Sequence, residues 1–133
     1  MEVAEPKKIL YIEDNKTNAM LVTKVLQNFE DVELCCVSSG EDGLEMVRSM
    51  SPDLVLLDIG LPGMSGYDVL RHIREDSSLA GKRVVAMTAS ASEEDVAVGA
   101  EVGFDAYLTK PFEIRHFFHL LDNLLDVRLS GSI

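Results

Sequence analysis

Basic side chains are scarce in this chain of 133 residues: 12 Lys and Arg stand against 23 Asp and Glu, a formal net charge of -11. That balance opposes contact with a phosphate backbone, which takes clustered Lys and Arg, so no nucleic-acid partner is expected. Cysteine is nearly missing as well. Cys35 and Cys36 are neighbours in a β-favouring run, where successive side chains point to opposite faces. A mutual disulfide and a metal spacing are both disfavoured, and reduced packing in the core is expected. No apolar segment approaches the roughly 20 residues that cross a bilayer, and the opening MEVAEPKKILYIED lacks the apolar region and cleavage site of a signal peptide. The expectation is a cytoplasmic protein without a membrane partner. Internal repeats, low-complexity tracts and interdomain linkers are absent too. Residues 1–133 therefore read as one domain with its core at about residues 8–125, and 47% hydrophobic residues fill it.

What the chain does contain is alternation. Residues Met1 to Pro6 make a short lead, and Lys8 to Ile12 (KILYI) is a β-favouring run closed by Glu13 and Asp14. Asn15 or Asp14 can cap a helix whose apolar residues, from Ala19 to Phe29, recur at helical spacing. Val32 to Val37 gives a second strand, and Ser38, Ser39 and Gly40 turn into a helix over Glu41 to Met50. Pro52 then introduces Leu54, Val55, Leu56 and Leu57, apolar at every position as a strand buried on both faces is, and the run stops at Asp58. Leu61-Pro62-Gly63 is turn chemistry, and Ser65 or Gly66 starts a third helix that buries Val69, Leu70 and Ile73. Arg83 to Met87 is a fourth strand ending in Thr88, and a fourth helix over Ser92 to Val102 opens on acidic residues that complement its dipole. Phe104 to Leu108 is a fifth strand ending in Thr109 and Lys110. A last helix from Glu113 to about Leu125 carries Ile114, Phe117, Leu121 and Leu124 on one face, and Asp126 to Ile133 is a polar tail.

Five strands alternating with five helices predict an α/β fold: a five-stranded parallel sheet with helices on both faces, a (βα)5 flavodoxin-like doubly wound arrangement, because parallel neighbours need crossovers. Every strand's carboxyl end then lies on one rim, where open α/β sheets bind their ligands. Glu13, Asp14, Asp58, Thr88 and Lys110 fall there. Gathered carboxylates repel, by roughly 4 kcal/mol for two charges about 4 Å apart at an effective dielectric near 20. Hard oxygen donors without a His or Cys cluster point to Mg2+ as the ion that relieves them. An ionised Asp58 could attack phosphorus to give an aspartyl phosphate, with Lys110 pairing one phosphoryl oxygen and the Thr88 hydroxyl donating to another. Taken singly, Asp58 reads more simply as a turn residue and Thr88 as strand filling. Packing gives no reason for polar residues at all these strand ends together.

The motifs YIEDN, LVLLDIGLPGMSG, VVAMTAS and the Lys-Pro pair of YLTKPF, spread over the chain from about Lys8 to Leu125, resemble the receiver domains of two-component response regulators. The likeness is to the chemotaxis regulator and to the receivers of phosphorelays and hybrid histidine kinases. The resemblance implies that Asp58 takes a phosphoryl group from the phosphohistidine of a sensor histidine kinase or a histidine phosphotransferase. It implies that Glu13, Asp14, Asp58 and the backbone carbonyl of Gly60 hold Mg2+, that Lys110 contacts the phosphoryl group, and that Thr88 and Tyr107 move together as a switch. The surface of the fourth helix, fifth strand and last helix, with Arg115, Phe118 and His119, would then reach a protein target, as a monomer or a phosphorylation-dependent dimer. A cis Lys110-Pro111 bond, room for the phosphoryl group beside the small Ala89, and access for water past Gly60 and Ser90 are further implications. His72, His116 and His119 are expected on solvated helix positions, so the phosphodonor histidine belongs to another protein. Such a protein modifies itself without being a turnover enzyme. A haloacid-dehalogenase-like phosphohydrolase would need a second acid where Gly60 stands, and a pseudo-receiver would not keep the acids, Thr88 and Lys110. The chain reads as a stand-alone receiver or as a piece of a hybrid histidine kinase.

Overall fold

The computed structural model describes residues 5–89, 101 and 103–132. The start of the N-terminal lead, Ser90 and all but Glu101 of the expected fourth helix lie outside the described residues. The elements follow in the order β1 (Lys7–Ile12), α1 (Lys16–Leu26), β2 (Val32–Val37), α2 (Gly40–Met50), β3 (Leu54–Asp58), α3 (Gly66–Glu75), β4 (Arg83–Thr88), β5 (Ala106–Thr109) and α4 (Ile114–Leu125). All four strand pairings are parallel, in the order β2-β1-β3-β4-β5. The chain winds outward in one direction from β1 and in the other from β3, so a crevice opens between these two strands at their carboxyl ends.

Short polar residues cap α1, α2 and α3, and α2 starts at Gly40, one residue before the expected Glu41. The Asn15 side chain accepts from the Asn18 amide at 3.0 Å, and Ser39 accepts from Asp42 at 3.2 Å. Ser65 and Asp68 exchange bonds in a reciprocal cap at the head of α3. Each cap satisfies amides that have no partner inside the helix and stabilises it by about 1 kcal/mol.

Strand residues alternate between two cores, as the period of two requires. Ile9, Tyr11, Leu54, Leu56, Val85, Met87 and Leu108 face α1 and α4, where Val22, Leu26, Phe117, Phe118 and Leu121 meet them. Leu10, Ile12, Val55, Leu57, Val84 and Ala86 face α2 and α3, against Leu44, Val47, Val69, Leu70 and Ile73. The sheet is thus covered on both sides, which is why β3 is apolar at every position before Asp58.

Several expectations are corrected. β5 begins at Ala106, not Phe104: the Asp105 carboxylate accepts from the Val84 amide at 2.7 Å and from Arg74 at 3.0 Å, holding the approach to the strand. On α4 the core face is Phe117, Phe118, Leu121 and Leu125. Ile114, at the first residue of the helix, is 45% exposed. Phe118, expected on the output surface, is buried with its ring edge-on to Phe29 at 5.2 Å. The segment after α4 is no free polar tail. Leu129 is fully buried in the core on the α1 and α4 side, and the Asp122 carboxylate accepts from the Leu129 amide at 2.6 Å and the Ser130 hydroxyl at 2.5 Å. The core therefore runs to Leu129. Both cysteines are free, but Cys36 is exposed, because β2 is an edge strand; only Cys35 is partly packed. Among the described residues no helix is long and apolar enough to cross a membrane.

Candidate functional site

Strand phase selects which side chains reach the crevice. Tyr11, Leu56 and Leu108 all face the α1 and α4 core, so two residues further along each strand Glu13, Asp58 and Lys110 emerge on that same side. Backbone bonds carry the ladders past the strand ends. Glu13 donates its amide to Val37 O at 2.9 Å, Ile59 to Met87 O at 3.2 Å and Lys110 to Thr88 O at 2.7 Å. The peptide bond between Lys110 and Pro111 is cis, as the resemblance implied.

The side chains converge. Lys110 Nζ lies 3.0 Å from Glu13 Oε1 and 3.3 Å from Asp58 Oδ1. Asp14 joins them: one carboxylate oxygen from each of Glu13, Asp14 and Asp58 falls within a 4.8 Å group. Glu13 and Asp58 are buried, whereas Asp14 is exposed at the mouth. Gly60 turns back so that its amide donates to Asp58 Oδ1 at 3.1 Å. Thr88 and Tyr107 have the opposite phase. Tyr107 is the register partner of Ala86, its ring stands 5.6 Å from Phe104, and it packs on the α2 and α3 side. Thr88, two residues beyond Ala86, shares that phase one residue past Met87, the register partner of Asp58.

Sequence reasoning missed two partners of this cluster. The buried Tyr11 hydroxyl donates to Glu13 Oε1 at 3.1 Å, and the Asn18 side-chain amide donates to the same oxygen at 3.0 Å. Tyr11 was hidden in an apolar run; its place two residues before Glu13, on the same strand face, was the signal. The three histidines, His72, His116 and His119, are exposed on helices.

The electrostatics follow from two carboxylates and one ammonium in a confined space. Burial pushes the Asp58 carboxyl up to about 6, and the hydrogen bond it shares with Glu13 adds to the rise. Burial penalises Glu13 too, but the bonds with Asp58, Lys110 and Asn18 outweigh it and hold the acid at about 2. Burial also opposes the Lys110 charge, and the Glu13 hydrogen bond and the two acids more than restore it, raising the ammonium above its ordinary range. Burial and the neighbouring Glu13 charge raise the Tyr11 hydroxyl, which stays a donor at any physiological pH. A cluster with more carboxylates than cations, all hard oxygen donors, fits Mg2+.

The comparisons agree with this geometry. The family model described as response regulator receiver domain matches residues 9–122. The chain is 41% identical over 107 residues to the DNA-binding response regulator MtrA of Mycolicibacterium paratuberculosis, covering 80% of this chain and 46% of the relative. It thus spans about half the length of the curated relatives it matches. A putative response regulator from Chloroflexus aurantiacus superposes with a TM-score of 0.83 at 28% identity, covering 92% of this chain and 99% of that one. The receiver domain of the sensor histidine kinase PA1611 from Pseudomonas aeruginosa, with a magnesium ion coordinated in its active-site cleft, gives 0.81 at 25% identity, covering 92% and 99%. A parallel sheet ordered β2-β1-β3-β4-β5, an acidic crevice braced by a lysine and a family match along most of the chain lead to one conclusion: this chain belongs to the receiver domains of response regulators.

Proposed function

We propose that Asp58 is the phosphoacceptor of this receiver and that a partner's phosphohistidine is the donor. The observation that carries the reading is Lys110 Nζ lying between the Glu13 and Asp58 carboxylates, at 3.0 and 3.3 Å, with Asp14 at the mouth of the same cluster. In the transfer an ionised Asp58 oxygen attacks phosphorus as the P–N bond to the donor imidazole breaks. The electron pair leaves with the imidazole nitrogen, which takes up a proton. Lys110 then exchanges a carboxylate for a phosphoryl oxygen, a charge-assisted contact of the same kind. Thr88 donates its hydroxyl to another phosphoryl oxygen, and Tyr107 responds on the same side of the sheet. Glu13, Asp14, Asp58 and the Gly60 carbonyl would hold the magnesium ion, which would supply positive charge against the phosphoryl oxygens.

The same reading assigns the outer parts of the molecule. The whole of residues 1–133 acts as a single receiver, in the cytoplasm, as a phosphoacceptor and not as a turnover enzyme. Its donor is a sensor histidine kinase or a histidine phosphotransferase. Its output passes to a protein target over the face that includes β5 and α4, where Arg115 and His119 are exposed. DNA binding is a property of MtrA; for this acidic receiver we keep the proposal of no direct nucleic-acid contact.

The test is labelling with acetyl phosphate followed by mass mapping. Wild type with Mg2+ should gain one phosphoryl group on the peptide that holds Asp58. EDTA or the substitution Asp58→Asn should abolish the gain. Equal labelling of Asp58→Asn would remove Asp58 from its role.

A further inference from the structure

The unusual feature of the site is how Glu13 is held. Its Oε1 accepts from three donors at once: Lys110 Nζ at 3.0 Å, Asn18 Nδ2 at 3.0 Å and the Tyr11 hydroxyl at 3.1 Å. Among the described residues its Oε2 accepts one long bond from a protein N–H, the Asn15 amide at 3.5 Å, and otherwise the acid has Asp58 as its neighbour in the cluster. A carboxylate oxygen offers about two lone-pair sites, so the first oxygen is saturated by protein while the second keeps capacity to spare. The donors come from three elements. Tyr11 is fully buried in β1, Asn18 stands in the first turn of α1, and Lys110 follows β5. Asn18 is itself fixed, because its backbone amide donates to the Asn15 cap.

The donors also differ in what phosphorylation asks of them. Lys110 is bonded to Asp58 as well as Glu13, and in the mechanism above it turns to the phosphoryl group. Tyr11 and Asn18 have no such second duty. They are the pair left to fix Glu13 when the ammonium is drawn away.

We propose that Tyr11 and Asn18 are positioning residues that lock Glu13 by its Oε1 and thereby present Oε2 to the magnesium site, before and after Lys110 changes partner. This inference rests on the magnesium-dependent reading of the cluster. Tyr11 cannot be a ligand itself, since its hydroxyl is committed as a donor to the acid beneath the crevice. Partners of this sort orient a ligand, and their loss costs about 10- to 100-fold in metal affinity.

Calorimetric Mg2+ titration of the full chain at pH 7.5 tests it, with wild type, Tyr11→Phe, Asn18→Ala, Glu13→Gln and the two double variants carrying Glu13→Gln. Tyr11→Phe keeps the ring in the core, and Asn18→Ala keeps the amide that meets Asn15, so unfolding of one variant leaves the other to decide. Each single change is expected to weaken Mg2+ about tenfold, and to do almost nothing further once Glu13 is Gln, because the effect runs through that side chain. The weakening should be larger when beryllofluoride has engaged Lys110. Unchanged affinity in Tyr11→Phe and Asn18→Ala overturns the proposal. An undiminished loss in the Glu13→Gln background overturns it too, since that is the signature of a general packing defect. Failure of the underlying reading looks different: wild type would show no Mg2+ site, or Asp14→Asn would leave its affinity unaltered.

Discussion

At the scale of single residues, burial of Asp58 beside Glu13 raises its affinity for a proton and makes the metal-free site pH-sensitive. Asp58 is raised from 3.8 to about 6, first by burial and then by Glu13. The folded state therefore binds this proton more tightly than the unfolded chain. Its contribution is complete below about pH 4 and is lost as pH rises through 6, by about 3 kcal/mol for a shift of roughly two units. Glu13, depressed to about 2, works the other way and loses its contribution only as pH falls below its unfolded value towards 2. Asp58→Asn in EDTA should then be more stable than wild type by about 1–3 kcal/mol at pH 7.5 and no more stable near pH 4, as read by urea denaturation. A gain independent of pH would contradict the cause given. Lys110→Ala removes the ammonium bonded to these acids; it should retain Mg2+ binding yet lose the conformational response to beryllofluoride, followed by amide chemical shifts. Glu13, Asp58 and Lys110 were legible because each interrupts an apolar strand where loop begins. Asn18 was not, since nothing in a helical pattern distinguishes a solvated amide from one that bonds an acid in the preceding strand.

Elements were legible where a short-range signal sets them and less so where tertiary packing does. The caps Asn15, Ser39 and Ser65 start helices where their chemistry dictates. The end of the chain was misread because Asp126, Arg128 and Ser130 look solvated, while the decisive contacts, Leu129 in the core and its amide on Asp122, lie across a reversal of the backbone. Leu129→Ala should accordingly cost about 2–5 kcal/mol in a denaturant titration, as a fully buried leucine does; a change under about 0.5 kcal/mol, the range of an ordinary surface position, would show the segment to be loosely held. The head of α3 supplies a second test. A Cβ on Gly66 would sit 2.7 Å from both the Asp58 carbonyl oxygen and the Ile59 Cα. Backbone must move to admit it, so Gly66→Ala should destabilise the fold by about 1–3 kcal/mol and weaken Mg2+ binding by displacing Asp58. Destabilisation with intact Mg2+ affinity would mean that the strain is absorbed by α3 alone.

For the molecule as a whole, the sheet order is what turns a scattered sequence into a site. β1 and β3 are neighbours in the sheet although α1, β2 and α2 lie between them in the chain. Ile12 and Leu57 pair in register, so the acids that follow them, Glu13 and Asp58, meet. Covering both faces with helices then leaves the strand ends as the natural opening, and the net charge of -11 makes a cation the expected occupant and a polyanion an unfavourable one. Fold and site were readable together because one periodicity, that of the strands, governs both. The most direct measurement is beryllofluoride titration followed by backbone amide shifts, with and without Mg2+. The expected result is a set of Mg2+-dependent shifts centred on Glu13, Asp14, Asp58, Thr88 and Lys110, spreading to Tyr107. Shifts that need no Mg2+, or that leave these five residues unmoved, would contradict it.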